Sequence, residues 1–339
     1  MKKAIVLTKN FETYRSGYYH QDLVDALINN LEAYVYGPGY NDYNKEDSID
    51  DVILKSPFET GDIDYIIMST SWDDDESTLN VDPHPNIKLK KIENIKKIYF
   101  LNKEYKKLEL RFEYCKNNAF DVIYTVHPNA RLWSLEQGLN IEQLHFGINL
   151  ERFKHKGEYK SIDFAFTGSL HSSHLDYRTL VKKEIFRPER LHTKSNKEWR
   201  NILRAVIQDN YKKHQIYWAE FGARDILGRN LLPFGDEYGS FLKKTTMMLN
   251  TPSAVGIFNT RFFELMASKT LILCPRCENY NGLLIDKVNC LMYEPNMSDF
   301  YDVFSEGINN IHLRNKIVKQ AYDEVLNHTY DVRVKSILT

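Results

Sequence analysis

Short apolar runs bounded by turn residues alternate with segments of helical periodicity along most of the chain. In the first half the runs are Lys3 to Thr8, Ala33 to Gly37, Ile63 to Ser69, Lys97 to Leu101 and Asp121 to Val126. Each is too short for a helix and predicts a buried strand. Helical spacing fills several of the gaps, as in Gln21 to Leu31 and Lys103 to Asn117. From Ser161 the alternation begins again, with strands expected near Asp163 to Phe166, Met247 to Leu249, Leu271 to Cys274 and Cys290 to Tyr293. Strands that alternate with helices predict an α/β protein of parallel sheets joined by right-handed crossovers. A chain of 339 residues is long for one core, so two doubly wound units are expected, with their strand ends lining a shared cleft. Trp72 to Pro85 reads as a long irregular loop.

The segment from Phe258 to Cys274 concentrates the candidate chemistry. Phe262, Leu265 and Met266 give it a core face, and Thr270 to Cys274 reads as a buried strand. Arg261 and Glu264 are three apart and neighbour one another on the opposite face. At a helix N-terminus, unpaired N–H groups and the positive dipole end favour a diphosphate, to which an arginine adds a charged contact. Glu264, one turn on, can accept hydrogen bonds from ribose hydroxyls. The alternative is an ion pair on a solvated helix face.

Asn259-Thr260-Arg261-Phe262-Phe263-Glu264, followed by a small-residue turn and an apolar strand, resembles the donor motif of GT-B glycosyltransferases, in particular the CgeB-like group. Ser161 to Ser169 resembles the strand and glycine turn that open the donor domain, with Arg178 on the next helix. Gln137 to Phe153 resembles the segment that passes between the two domains, His328 to Arg333 the returning C-terminal helix, and Gly37 to Tyr40 a CgeB-like turn. The resemblance implies two Rossmann-like domains: an acceptor domain over residues 1–150, a donor domain over 151–328, and a helix over 329–339 returning toward the first. It also implies a nucleotide-sugar donor linked to UDP, GDP or dTDP, held by Gly168, Ser169, Arg178, Asn259, Thr260, Arg261 and Glu264, with no metal or other cofactor. The chain departs from the commoner pattern at Gly256, where many members carry a second glutamate, and at Lys269, where glycine is usual.

Charge narrows the partners. Forty-five basic and 46 acidic residues leave a formal net charge of −1, so no global field drives the chain onto nucleic acid or membrane. The opening Met1 to Thr8 is too short for a secretion signal and no stretch approaches the length of a spanning helix, which predicts a cytoplasmic protein with at most peripheral membrane contact. Cys274-Pro-Arg-Cys277 has the spacing of a redox or half-zinc motif. Without a second pair of ligands, packing is the expectation.

Catalytic candidates follow the strands of the first half: His20 after the first, Asp73 to Asp75 after the third, His127 after the fifth. A carboxylate or histidine there would deprotonate an acceptor hydroxyl in an inverting transferase. Asp73 and His127 are preferred. Each has a plain alternative: a solvated turn for Asp73, a helix cap for His127, and an exposed position on the first helix for His20. The basic stretch Lys182 to His214, interleaved with Phe186, Trp199 and Tyr211, keeps open a transferase that modifies nucleic acid, although acidic residues dilute it. The expected function is transfer of a sugar to a hydroxyl of a glycan, lipid-linked or protein acceptor. A silent sugar- or nucleotide-binding protein of the same fold is the remaining alternative.

Overall fold

The computed structural model describes residues 1–12, 18–69, 87–102, 104, 107–168, 216–220, 235–253 and 256–338. They fall into two compact units: Met1–Gly147 with Tyr330–Thr339, and Ile148–Thr329.

Unit 1 is a parallel sheet of six strands: β1 (Lys3–Leu7), β2 (Glu32–Tyr36), β3 (Tyr65–Met68), β4 (Lys96–Leu101), β5 (Val122–Thr125) and β6 (Ile141–Gln143). Their order is β2-β1-β3-β4-β5-β6, so the winding reverses between β1 and β3. Strand periodicity divides the core in two. Ile5 and Leu7 face one cluster, which α2 (Ile49–Lys55), α3 (Leu108–Asn118) and α4 (Ala130–Gln137) cover with Val52, Phe112 and Trp133. Ala4 and Val6 face the other cluster, which receives Ala26 and Leu27 of α1 (Tyr18–Asn30) and Tyr330, Val334 and Ile337 of the C-terminal helix Tyr330–Ile337. The C-terminal helix is therefore an integral layer of unit 1. Ser48 and Asp51 form a capping box that starts α2, and Gly138 ends α4 at φ +64°. The first five strands coincide closely with the apolar runs. β6 departs from expectation: Gln137 to Phe153, which resembles a connecting segment, includes three residues paired with β5.

Unit 2 begins with a single helical turn, α5 (Leu150–Phe153). Its parallel sheet contains β7 (Ile162–Gly168), β8 (Ile216–Glu220), β9 (Thr245–Leu249), β10 (Leu271–Pro275) and β11 (Leu291–Tyr293), in the order β11-β10-β9-β7-β8. The winding reverses between β7 and β9. One face buries Phe164, Met247, Leu271 and Leu291 against Phe304 of α8 (Phe300–Asn309) and Ile317 of α9 (Ile311–Val325), with α6 (Gly235–Lys243) and α7 (Thr260–Ala267) completing the described helices of this unit.

Lys160 joins three of these elements. Its ammonium donates to Thr245 O and Ser268 O, both at 2.8 Å, and to Thr270 Oγ1 at 3.3 Å. Burial pushes its pKa down to about 7, with Lys269 adding to the fall and Glu158 opposing it. Between pH 7 and the ordinary lysine range the unfolded chain holds a proton that the folded chain releases. Stability therefore rises with pH through that window, by up to about 1.4 kcal/mol per pH unit. We expect the stability difference between wild type and Lys160→Met to move in favour of wild type from pH 7 to 9. Urea unfolding of both proteins across that range checks this, and a constant difference would refute it.

Candidate functional site

In doubly wound sheets, ligands sit outside the carboxyl ends of the strands where the winding reverses. In unit 2 that point lies between β7 and β9, and α7 begins beside it. Thr167 is the penultimate residue of β7, Asn250 directly follows β9, and Asn259 precedes the first turn of α7.

These residues form a continuous polar chain that fixes Arg261. Its Nε donates to Tyr238 Oη at 2.8 Å, and Nη1 reaches Asn250 Oδ1 at 3.4 Å. Tyr238 Oη lies 3.1 Å from Thr167 Oγ1. Asn250 Nδ2 donates to Asn259 Oδ1 at 3.1 Å, and Asn259 Nδ2 donates to Thr251 O at 2.7 Å. Burial raises the pKa of the Tyr238 phenol; Arg261 opposes the rise and Glu264 adds to it. The phenol therefore stays protonated, able to accept from the guanidinium while donating to Thr167.

Asn259 occupies the N-cap position of α7 but makes no capping hydrogen bond through its side chain. Its amide is committed to Asn250 and Thr251 rather than to the first turn of α7. The dipole end of α7 and the oriented guanidinium together suit an anion.

Glu264 departs from the expected solvated face. Residues Phe262 to Ala267 are all buried, and Glu264 is only 2% exposed. A helix covered on nearly every side has no solvated stripe, which the apolar spacing of Phe262, Leu265 and Met266 alone did not reveal. A surface ion pair is thereby ruled out as the role of Glu264.

Gly256 has φ +78°, and a Cβ there would lie 2.4 Å from Asn279 Nδ2, which donates to Gly256 O. A glutamate at this position meets both a backbone and a packing barrier. Lys269 also adopts a left-handed conformation, φ +50°. It closes α7 through Lys269 N–H to Met266 O and Thr270 N–H to Leu265 O, the two bonds of a Schellman turn. Its ammonium lies 4.7 Å from the centre of the Tyr322 ring, a contact glycine could not make.

In unit 1, His20 is buried on α1 rather than exposed. It stacks on Phe11 at 4.9 Å and lies 3.4 Å from Asn102 Nδ2. His127 follows β5, where its Nδ1 accepts the Asn129 N–H at 3.1 Å ahead of α4, and its ring lies 4.5 Å from that of Trp133. Burial lowers its pKa and favours the neutral imidazole. Two further residues gather here. Thr125 Oγ1 donates to Glu104 Oε1 at 2.6 Å and accepts the His127 N–H at 3.1 Å. Burial raises the Glu104 pKa, with Thr125 and Arg111 acting against it. Neither Glu104 nor the buried Arg111 carried a sequence signal, since each is one charge among several in a helical pattern. The same holds for Thr167, Tyr238 and Asn250 in unit 2. Asp73, Ser169, Arg178 and the basic stretch Lys182 to His214 lie outside the described residues.

Comparison with known proteins agrees with this architecture. Residues 190–339 match the family model described as Glycosyl transferase-like. Solved structures that match nearly the whole chain include a glycosyltransferase from Rickettsia africae (11% identity, TM-score 0.57, covering 99% of this chain and 97% of that one). Sucrose-phosphate synthase from Thermosynechococcus elongatus matches at 10% identity and TM-score 0.59, with 99% and 97% covered. Anabaena Alr3699/HepE in complex with UDP-glucose matches at 10% identity and TM-score 0.58, with 100% and 99% covered. The fold is that of the GT-B glycosyltransferases, two Rossmann-like domains in one chain. No curated protein matches by sequence. Among the described residues no helix is long and apolar enough to cross a membrane.

Proposed function

We propose that the protein is a glycosyltransferase of CgeB-like type that moves a sugar from a nucleotide-linked donor to an acceptor hydroxyl in glycan or protein glycosylation. The observation that carries this reading is Arg261, held by Tyr238 and Asn250 at the start of α7 where the winding of unit 2 reverses. Arg261 and the N-terminal end of α7 take the donor diphosphate, and they stabilise it as it leaves. Glu264 is assigned to the ribose hydroxyls. The match to a structure holding UDP-glucose supports a UDP-linked donor as the first to test. Helix dipole and guanidinium neutralise the leaving group without a cation, so activity is expected to survive EDTA. On the acceptor side, Glu104 joins His127 and His20 as candidates for the general base.

The test is a thermal-shift screen against UDP-, GDP-, dTDP- and CMP-sugars, since a ligand that binds only the folded state raises Tm by mass action. At least one donor should raise Tm and be slowly hydrolysed, releasing free nucleotide. Binding without any hydrolysis would favour a silent binder, and no shift with any donor would overturn the reading.

A further inference from the structure

Unit 1 contains a cavity of about 60 Å³ formed entirely from its own residues. Its floor lies at the carboxyl ends of the strands: Ser69 follows β3, Asn102 follows β4 and Val126 follows β5. Helix α1 contributes His20, and the C-terminal helix contributes Arg333. Much of the wall is apolar, from Leu23, Phe100, Leu144 and Phe146. A few polar groups set in an apolar wall are the usual composition of a ligand site.

Three observations define what fits. The polar lining includes a guanidinium and two imidazoles, those of Arg333, His20 and His145, and no aspartate or glutamate is among the described lining residues. Ser69 Oγ is buried, 2% exposed, and has no hydrogen-bond partner among the described residues. A buried hydroxyl in that position is costly until something accepts from it, and an oxyanion accepts readily. Finally, the inner part of the cavity, about 60 Å³, is small enough to suit a carboxylate or phosphate.

We propose that this cavity receives a single carboxylate or phosphate group carried by the acceptor, with Arg333 as its charge partner and Ser69 as a hydrogen-bond donor. That the group belongs to an acceptor rests on the glycosyltransferase reading; the anion site itself does not. The acceptor's sugar ring would lie outside the cavity, anchored through its acidic substituent, so transfer would favour acidic over neutral acceptors. The guanidinium is already oriented, its Nε donating to Phe146 O at 3.4 Å.

Calorimetric titration of the full-length protein with inorganic phosphate and, separately, with acetate tests this. One or both should bind wild type and should still bind Arg261→Ala, in which the donor anion site is disabled. Binding should weaken tenfold or more in Arg333→Gln and several-fold in Ser69→Ala, and the anion that binds tells which group the site takes. Ser69→Ala removes one oxygen and keeps the test valid if Arg333→Gln does not fold. Binding lost in Arg261→Ala but kept in Arg333→Gln would locate the anion at the donor site and overturn the proposal, as would no binding of either anion. Donor hydrolysis measured on the same samples separates the two readings. Hydrolysis without anion binding removes this site and leaves the transferase; anion binding without hydrolysis of any donor supports the site and removes the transferase.

Discussion

Arg261→Ala is expected to weaken donor binding about 10- to 150-fold, the equivalent of the roughly 1.5–3 kcal/mol of a hydrogen bond to a charged group, and to lower turnover with it. The fold should persist, because the side chain leads out of α7 toward polar partners and is only partly buried. Two milder variants show whether orientation matters beyond charge. Arg261→Lys keeps the cation but loses the planar fork that Tyr238 and Asn250 hold, so it should recover only part of the affinity. Tyr238→Phe leaves the guanidinium in place while removing its acceptor, and a smaller loss is expected. Donor affinity measured by calorimetry for all three decides the matter. Equal affinity in wild type and Arg261→Ala would remove Arg261 from the site.

Gly147→Ala should lower stability by about 3 kcal/mol, the upper range for overpacking a tight contact. A Cβ at Gly147 would stand 2.7 Å from both the Tyr330 ring and the Tyr330 backbone nitrogen, and 2.8 Å from its Cα. Main-chain atoms at the head of a packed helix cannot swing aside as a flexible side chain can. The C-terminal helix must therefore shift, and Val334 and Ile337 shift with it. The thermal transition should fall by about 6–12 °C for a unit of this size. Tyr330→Ala combined with Gly147→Ala should not restore it, because the backbone clash remains. Restoration in the double variant would place the strain in the ring alone.

Most strands were legible as apolar runs, although Ile216–Glu220, five residues long, was not among those expected. Buried parallel strands are continuous apolar stretches, which is why Tyr65–Met68 and Leu271–Pro275 stood out, while the three residues of Ile141–Gln143 did not. The start of α7 was legible because Asn259 and Arg261 sit together in sequence. Their supports were not. Thr167, Tyr238 and Asn250 come from β7, α6 and the end of β9, and only the folded sheet gathers them. Glu104 and Thr125 meet for the same reason, one after β4 and the other at the end of β5. Burial was the hardest property to anticipate. His20 and Glu264 are polar residues in amphipathic patterns, and tertiary packing covers the faces that the patterns left open.

Unit 1 draws its strands from the front of the chain and one of its helices from the very end, with all of Ile148–Thr329 between. A ribosome delivers these parts in order, so the β-sheet of unit 1 emerges early while the helix that seals one side is still unmade. Until Tyr330–Ile337 emerges, Ala26, Leu27 and Ile98 have no Val334 or Ile337 to cover them. Unit 2, whose segments are contiguous, can complete itself first. The nascent chain therefore passes through a stage with a finished second half and an open, apolar first half. A truncation before Tyr330 would arrest it there.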